Sequence, residues 1–219
     1  PILPAAQRCD TLPAVVRAVL FDFDGTLTRP GSLDFAAIRR AVGCPAGQPI
    51  LEFIESLDDG EARRQAFRVL DGMELEAARR SEPNEAAEET VRALADRGLP
   101  AGILSRNSRS SVREALERFP TLRERDFAAI VCREDVRRQK PHPDGVHAAA
   151  ARFGCAAADL VVVGDYVFDI DAGRRAGSHT VLLANGTPHR DFSVTPDAVI
   201  DRLSELPALI DALSGQRPA

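Results

Sequence analysis

Two aspartates spaced two apart, Asp22 and Asp24, close a short apolar run and are followed at once by Gly25. Side chains at i and i+2 of an extended segment project to the same face, and a glycine there lets the chain turn where other residues resist. Two carboxylates converging at a strand mouth can hold a divalent cation, divide acid and base roles, or repel. Further along, Ser105 ends a second apolar run, and Asp165 ends the run Leu160-Val161-Val162-Val163-Gly164, with Asp169 four residues on. Lys140 stands between them in Lys140-Pro141-His142-Pro143 and is the only lysine of the chain; the other 27 basic residues are arginines. Arginine offers a planar fork, lysine a compact point charge on a flexible stem, so one retained ammonium is a candidate for chemistry.

The elements that must position these residues are legible as alternating patterns. Short apolar runs over about 16–22, 99–105, 127–132, 160–165 and 180–183 read as strands, with 198–200 as a sixth. Helical periodicity lies between them: a helix opened by Pro83 and closed by Gly98, one over 110–119, one over 144–153 ended by Gly154, one over 170–176 stopped by Gly177, and a closing helix over 203–213. This alternation predicts an α/β fold, a Rossmann-like and mostly parallel sheet with helices on both faces. Residues 30–81 break the pattern with three amphipathic segments, the first capped by Ser32 or Asp34. They predict a small helical domain inserted after the first strand, leaving 1–29 and 82–219 as the core domain. Arg63, Arg64 and Arg68 of that insert read as a solvated face. Residues 1–14 read as an extended lead-in.

Composition narrows the function classes. With 219 residues, 44% of them hydrophobic, the chain can bury a sizeable core, and its net charge of −5 without a basic stripe argues against nucleic acid or an anionic membrane as partner. No run of about 18 apolar residues is present. The first residues lack a charged stretch leading into an apolar one, so no secretory signal is expected and a cytoplasmic location is. Cys9, Cys44, Cys132 and Cys155 are scattered without ligand spacing and are expected to be reduced thiols rather than a zinc site.

Ligands of open α/β sheets sit outside the carboxyl ends of the strands. Asp22, Asp24, Ser105, Lys140, Asp165 and Asp169 collect there. Four carboxylates without a cation would raise one another's pKa values. A hard divalent ion with oxygen ligands removes the conflict, and Mg²⁺ suits a site that supplies few carboxylates beside substrate oxygens.

Taken in order, Asp22-Phe23-Asp24-Gly25-Thr26-Leu27-Thr28, Ser105, Lys140-Pro141-His142-Pro143-Asp144 and Gly164-Asp165-Tyr166-Val167-Phe168-Asp169 resemble the four motifs of the haloacid dehalogenase-like hydrolase superfamily. The insert resembles the cap of its phosphoglycolate phosphatase-like subgroup. The resemblance implies a phosphatase acting on a small phosphorylated metabolite through an aspartyl-phosphate. Asp22 would be the nucleophile and Asp24 the general acid and base, with Thr26 helping to orient Asp24. Asp22, Asp24 (through its backbone carbonyl) and Asp165 would hold Mg²⁺. Ser105 and Lys140 would bind the phosphoryl oxygens, and Asp169 would join the metal shell or orient Lys140. Members that cleave carbon–halogen bonds lack an acid two residues after the nucleophile, so Asp24 disfavours that chemistry.

Two departures and three rivals accompany this expectation. Relatives often carry Asn or Gly directly after the second motif's hydroxyl, whereas Arg106 intervenes here and Asn107 follows. The insert, about 50 residues, is short for its type. A phosphomutase of the same superfamily would use the same aspartates. A phospho-acceptor signalling domain would place its acceptor after the third strand, where this chain offers only Cys132-Arg133-Glu134-Asp135. A catalytically idle binding subunit would have no use for an intact Asp22, Asp24, Lys140 and Asp165.

Overall fold

The computed structural model describes residues 16–187 and 194–214; the lead-in over 1–14 and Cys9 lie outside them. Six parallel strands form one sheet: β1 (Ala18–Phe21), β2 (Ala101–Leu104), β3 (Ala129–Val131), β4 (Leu160–Gly164), β5 (His179–Leu183) and β6 (Ala198–Ile200), in the order β3-β2-β1-β4-β5-β6. β1 lies between β2 and β4, with Phe21 in register with Ile103 on one side and Val163 on the other. The chain leaves β1 toward one edge of the sheet and later returns to build toward the other, which opens a crevice beyond β1.

Strands β1 to β4 are apolar throughout because both their faces are covered, whereas β5 opens on His179 and Thr180 and β6, at the edge, leaves Val199 exposed. Period-two alternation divides their side chains: Val19, Phe21, Ile103, Val161 and Val163 face one core cluster, and Ala18, Leu20, Leu104, Val131 and Val162 the other. The first cluster takes in α4 (Ala87–Ala95), α5 (Arg109–Leu116) and α8 (Leu206–Ser214), and the second α6 (Asp144–Phe153) and α7 (Val167–Ala176).

Helices α1 (Phe35–Val42), α2 (Ile50–Glu55) and α3 (Gly60–Ala78) form the unit inserted between β1 and β2. Their amphipathic faces meet over a small core of their own, Ile38, Leu51, Ile54, Ala66 and Leu70. Of the two caps expected for α1, Asp34 serves, accepting from Ala37 N at 2.8 Å; Asp59 caps α3 by accepting from Glu61 N.

Three helix starts differ from the sequence expectation, the closing helix among them, since Leu203–Glu205 form a 3₁₀ turn before α8. Pro83 opens no helix; it pairs with Thr28 in an antiparallel bridge where the chain enters and leaves the insert, and α4 begins at Ala87. α7 begins at Val167 rather than 170, because the Asp169 carboxylate folds back to accept from Tyr166 N at 3.1 Å. Cys44 and Cys132 are buried and Cys155 half-buried, all as free thiols. Among the described residues no helix is long and apolar enough to cross a membrane.

Candidate active site

The end of β1 sets the site. Asp22 keeps the strand's course, donating its N–H to Val163 O at 2.8 Å. The chain then closes one wide turn over Phe23–Leu27, sealed by Thr28 N on Phe23 O at 2.9 Å, with Gly25 at φ +81°. A side chain could not stand there: a Cβ on Gly25 would lie 2.3 Å from Asp165 Oδ2. The glycine thus supplies both the left-handed turn and the room for a carboxylate from another strand. The turn's carbonyls are held from outside, Gly25 O by Asn185 Nδ2 at 2.8 Å and Thr26 O by Asn84 Nδ2 at 3.0 Å.

Lys140 reaches the same point from the loop before α6. Its buried ammonium donates to Asp22 Oδ1, to Asp169 Oδ1 at 2.6 Å and to Leu104 O at 2.8 Å. Three donors meet three oxygens, so the cation is fully used. Burial alone would lower its pKa, but Asp169 and Asp22 outweigh burial and raise it. Gly164 permits the Asp169 approach, since a Cβ there would lie 2.3 Å from that carboxyl group.

Asp22, Asp165 and Asp169 bring carboxylate oxygens within 4.8 Å of one another. Burial, then the charge of Asp169, pushes Asp22 up to about 6 against the pull of Lys140. Burial, then Asp22 and Asp169, pushes Asp165 up to about 8. Both shifts record the like-charge conflict that a divalent cation would relieve, and the donors are all oxygen, so the residues fit a hard ion. Asp169 has one oxygen on Lys140 and the other on Tyr166 N.

Asp24 is held apart from this cluster. Its Oδ2 accepts from Asn107 Nδ2 at 2.5 Å. Burial, then Asp22 and Glu74 of α3, raises it to about 7, with Asn107 opposing. The side chain of Asp24 thus stands outside the group formed by Asp22, Asp165 and Asp169, with a hydrogen-bond partner of its own. Thr26 does not orient it: Thr26 Oγ1 is directed at Asp165 Oδ1, 3.4 Å away, because the turn carries residue 26 to the side from which β4 arrives. Ser105 is buried, and its Oγ accepts from Asn107 N at 3.1 Å, leaving the hydroxyl proton available. All these side chains except Thr26 line one cavity of about 740 Å³, which extends between the sheet and the insert.

Three residues outside the expected set matter to it. Asn107 is the partner of Asp24, in the role expected of Thr26. Arg106 turns the other way, donating from Nη2 to both oxygens of Glu52 in α2 at 2.8 and 2.7 Å. Glu74 is buried, accepts from Arg133 Nη1 at 2.7 Å and Ser108 N at 3.0 Å, and so ties α3 to the sheet domain. No local pattern distinguishes Glu74 from the other acidic residues of α3. Arg106-Asn107, by contrast, was visible as a departure directly after Ser105.

A parallel sheet whose central strand ends in a turn bearing two aspartates, beside a lysine clamped between carboxylates, forms a candidate hydrolytic site. The comparisons with known proteins agree. Residues 28–183 match the haloacid dehalogenase-like hydrolase family. The chain is 31% identical over 203 residues to an uncharacterized hydrolase of Saccharomyces cerevisiae, covering 91% of this chain and 93% of that protein. It is 29% identical to the pyrophosphatase PpaX of Bacillus pumilus, covering 91% and 98%. The crystal structure of a hydrolase from Pseudomonas syringae superposes with a TM-score of 0.76 at 22% identity, over 91% of this chain and all of that one, and shares the fold. The chain belongs to the haloacid dehalogenase-like hydrolase family.

Proposed function

We propose that the protein is a Mg²⁺-dependent phosphatase that hydrolyses a small-molecule phosphate ester through an aspartyl-phosphate, with residues 30–81 as its cap and the flanking segments as its core domain. The observation that carries this reading is the division of labour between Asp22 and Asp24. One carboxylate is pinned by the Lys140 ammonium beside the acidic cluster, and the other sits on Asn107 with its pKa raised to about 7. Burial raises both carboxyl groups, and their partners set them apart: an ammonium favours the ionised form of Asp22, whereas Asp24 has only a neutral amide as hydrogen-bond partner and is the better placed of the two to carry a proton.

In the first step a carboxylate oxygen of Asp22 forms a bond to phosphorus as the bond to the leaving oxygen breaks, and Asp24 gives its proton to that oxygen. In the second, Asp24 takes a proton from water, whose oxygen attacks phosphorus and returns Asp22 to a carboxylate. Ser105 Oγ–H would donate to the transferring oxygens, and the Lys140 ammonium offsets their negative charge by proximity while its three donors hold Asp22, Asp169 and the Leu104 carbonyl. The Asp22 and Asp165 carboxylates with the Asp24 carbonyl would hold Mg²⁺, which supplies neutralisation of phosphoryl charge. Asp169 keeps Lys140 in place.

The test is phosphate release by wild type and Asp22→Asn, each with and without Mg²⁺, with Mg²⁺ affinity measured by calorimetry. Release is expected only from wild type with Mg²⁺, and the variant should still bind the ion more weakly. Full activity of Asp22→Asn would overturn the assignment of the nucleophile.

A further inference from the structure

The cavity above Asp22 is far larger than a phosphoryl group requires, about 740 Å³, and its outer part is apolar. Phe35, Ile38, Ile50 and Leu51 line it from the cap, and Tyr166 and Phe168 from the segment after β4. Among the described residues the exposed large apolar side chains are Phe35 (60% exposed), Tyr166 (51%) and Val199. Two of these three stand on this one concavity, as expected where an apolar ligand group completes the surface.

Of the two arginines that line the outer cavity, Arg106 is closed to an anion by an acid, and Arg39 is turned through Nη1 to its own loop. Arg106 is neutralised by both oxygens of Glu52, and its guanidinium carbon lies 5.0 Å from the centroid of the Phe168 ring. It therefore presents a flat cation-over-ring platform rather than an open fork. Arg39 donates from Nη1 to the carbonyls of Pro45 and Gln48 at 2.5 Å each, which fixes the loop that delivers Ile50 to the cavity wall. A second carboxylate or phosphate on the substrate would have to displace Glu52 from Arg106 and be desolvated against aromatic and aliphatic side chains.

We propose that the enzyme selects phosphate monoesters whose leaving group is an uncharged, predominantly apolar ring, seated between Phe168 and the cap residues Ile50 and Leu51, and discriminates against leaving groups that carry a second anion. The proposal rests on the phosphatase reading and deepens it.

Benzyl phosphate, ethyl phosphate, 2-phosphoglycolate and inorganic pyrophosphate, each with saturating Mg²⁺, separate the two. Using alkyl esters avoids crediting the enzyme with the reactivity of a phenolate leaving group. From the area a buried ring removes from water, kcat/KM for benzyl phosphate should exceed that for ethyl phosphate by about 30-fold, and that for 2-phosphoglycolate by more. A kcat/KM for 2-phosphoglycolate or pyrophosphate equal to or above that for benzyl phosphate overturns the specificity and leaves the phosphatase reading standing. No phosphate from any of the four overturns the phosphatase reading itself. Ile50→Arg, which places a free cation on the apolar wall, should lower the ratio of benzyl phosphate to 2-phosphoglycolate activity at least roughly tenfold. A ratio within one variant does not depend on how much of it folds, so an unchanged ratio also overturns the proposal.

Discussion

Lys140→Arg preserves the charge and removes the geometry. The ammonium sends three N–H groups in three directions to Asp22, Asp169 and the Leu104 carbonyl, with the side chain only 4% exposed. A guanidinium is planar, bulkier, and holds its donors in one fork. It can satisfy one of the two carboxylates in bidentate fashion but cannot converge on both and the carbonyl. Hydrogen bonds to charged groups contribute about 1.5–3 kcal/mol each. Losing one or two of three gives an expected destabilisation of about 3 kcal/mol, close to the cost of breaking a buried pair. Displacing Asp22 from its line to phosphorus should lower turnover by about 10²-fold or more, the scale of a misplacement of about 1 Å at a reacting group. Urea unfolding with and without Mg²⁺, alongside phosphate release at saturating substrate, reads both effects. A variant with turnover within about threefold of wild type would refute the reasoning and make the chain's only lysine incidental.

Other perturbations follow from single contacts. Gly25→Ala puts a methyl group 2.3 Å from Asp165 Oδ2 at a residue with φ +81°; the backbone strain costs about 1–2 kcal/mol, and the displaced Asp165 should raise the Mg²⁺ concentration for half-maximal activity at least roughly tenfold. An unchanged Mg²⁺ dependence would show that Asp165 does not serve the ion. Glu88 accepts from Thr121 N and Oγ1 and from Leu122 N at 2.6–2.8 Å. Burial pushes its carboxyl up, but these bonds prevail and hold it below its ordinary value of 4.5. Because the folded pKa is depressed, its contribution is present above the unfolded value and is lost as pH falls through the folded one. Glu88→Gln should therefore cost about 1–2 kcal/mol at pH 7, a difference that denaturant titrations should see shrink below about pH 4; a deficit constant down to pH 3 would contradict the assignment.

What was legible in the sequence followed from local rules. Apolar runs ending in Asp22, Ser105 and Asp165 announced strands whose ends would meet, and the solitary Lys140 was visible by contrast with its arginine background. What escaped depends on direction and distance. Whether a hydroxyl at residue 26 turns toward Asp24 or Asp165 is set by a turn whose width no propensity specifies. The pairing of Asn107 with Asp24 spans 83 positions and requires the relative height of two strands. Pro83 carried a good helix-start signal, yet tertiary pairing with Thr28 won, because the two crossings into the insert must run side by side.

Glu74 has a consequence for engineering. It belongs to the cap, yet its charge helps set the proton affinity of Asp24, and Arg133 and Ser108 hold it against the sheet domain. The reacting pair is thus not electrically self-contained. A chimera that borrows this insert from a relative would change a carboxylate beside Asp24 as well as the apolar wall of the cavity.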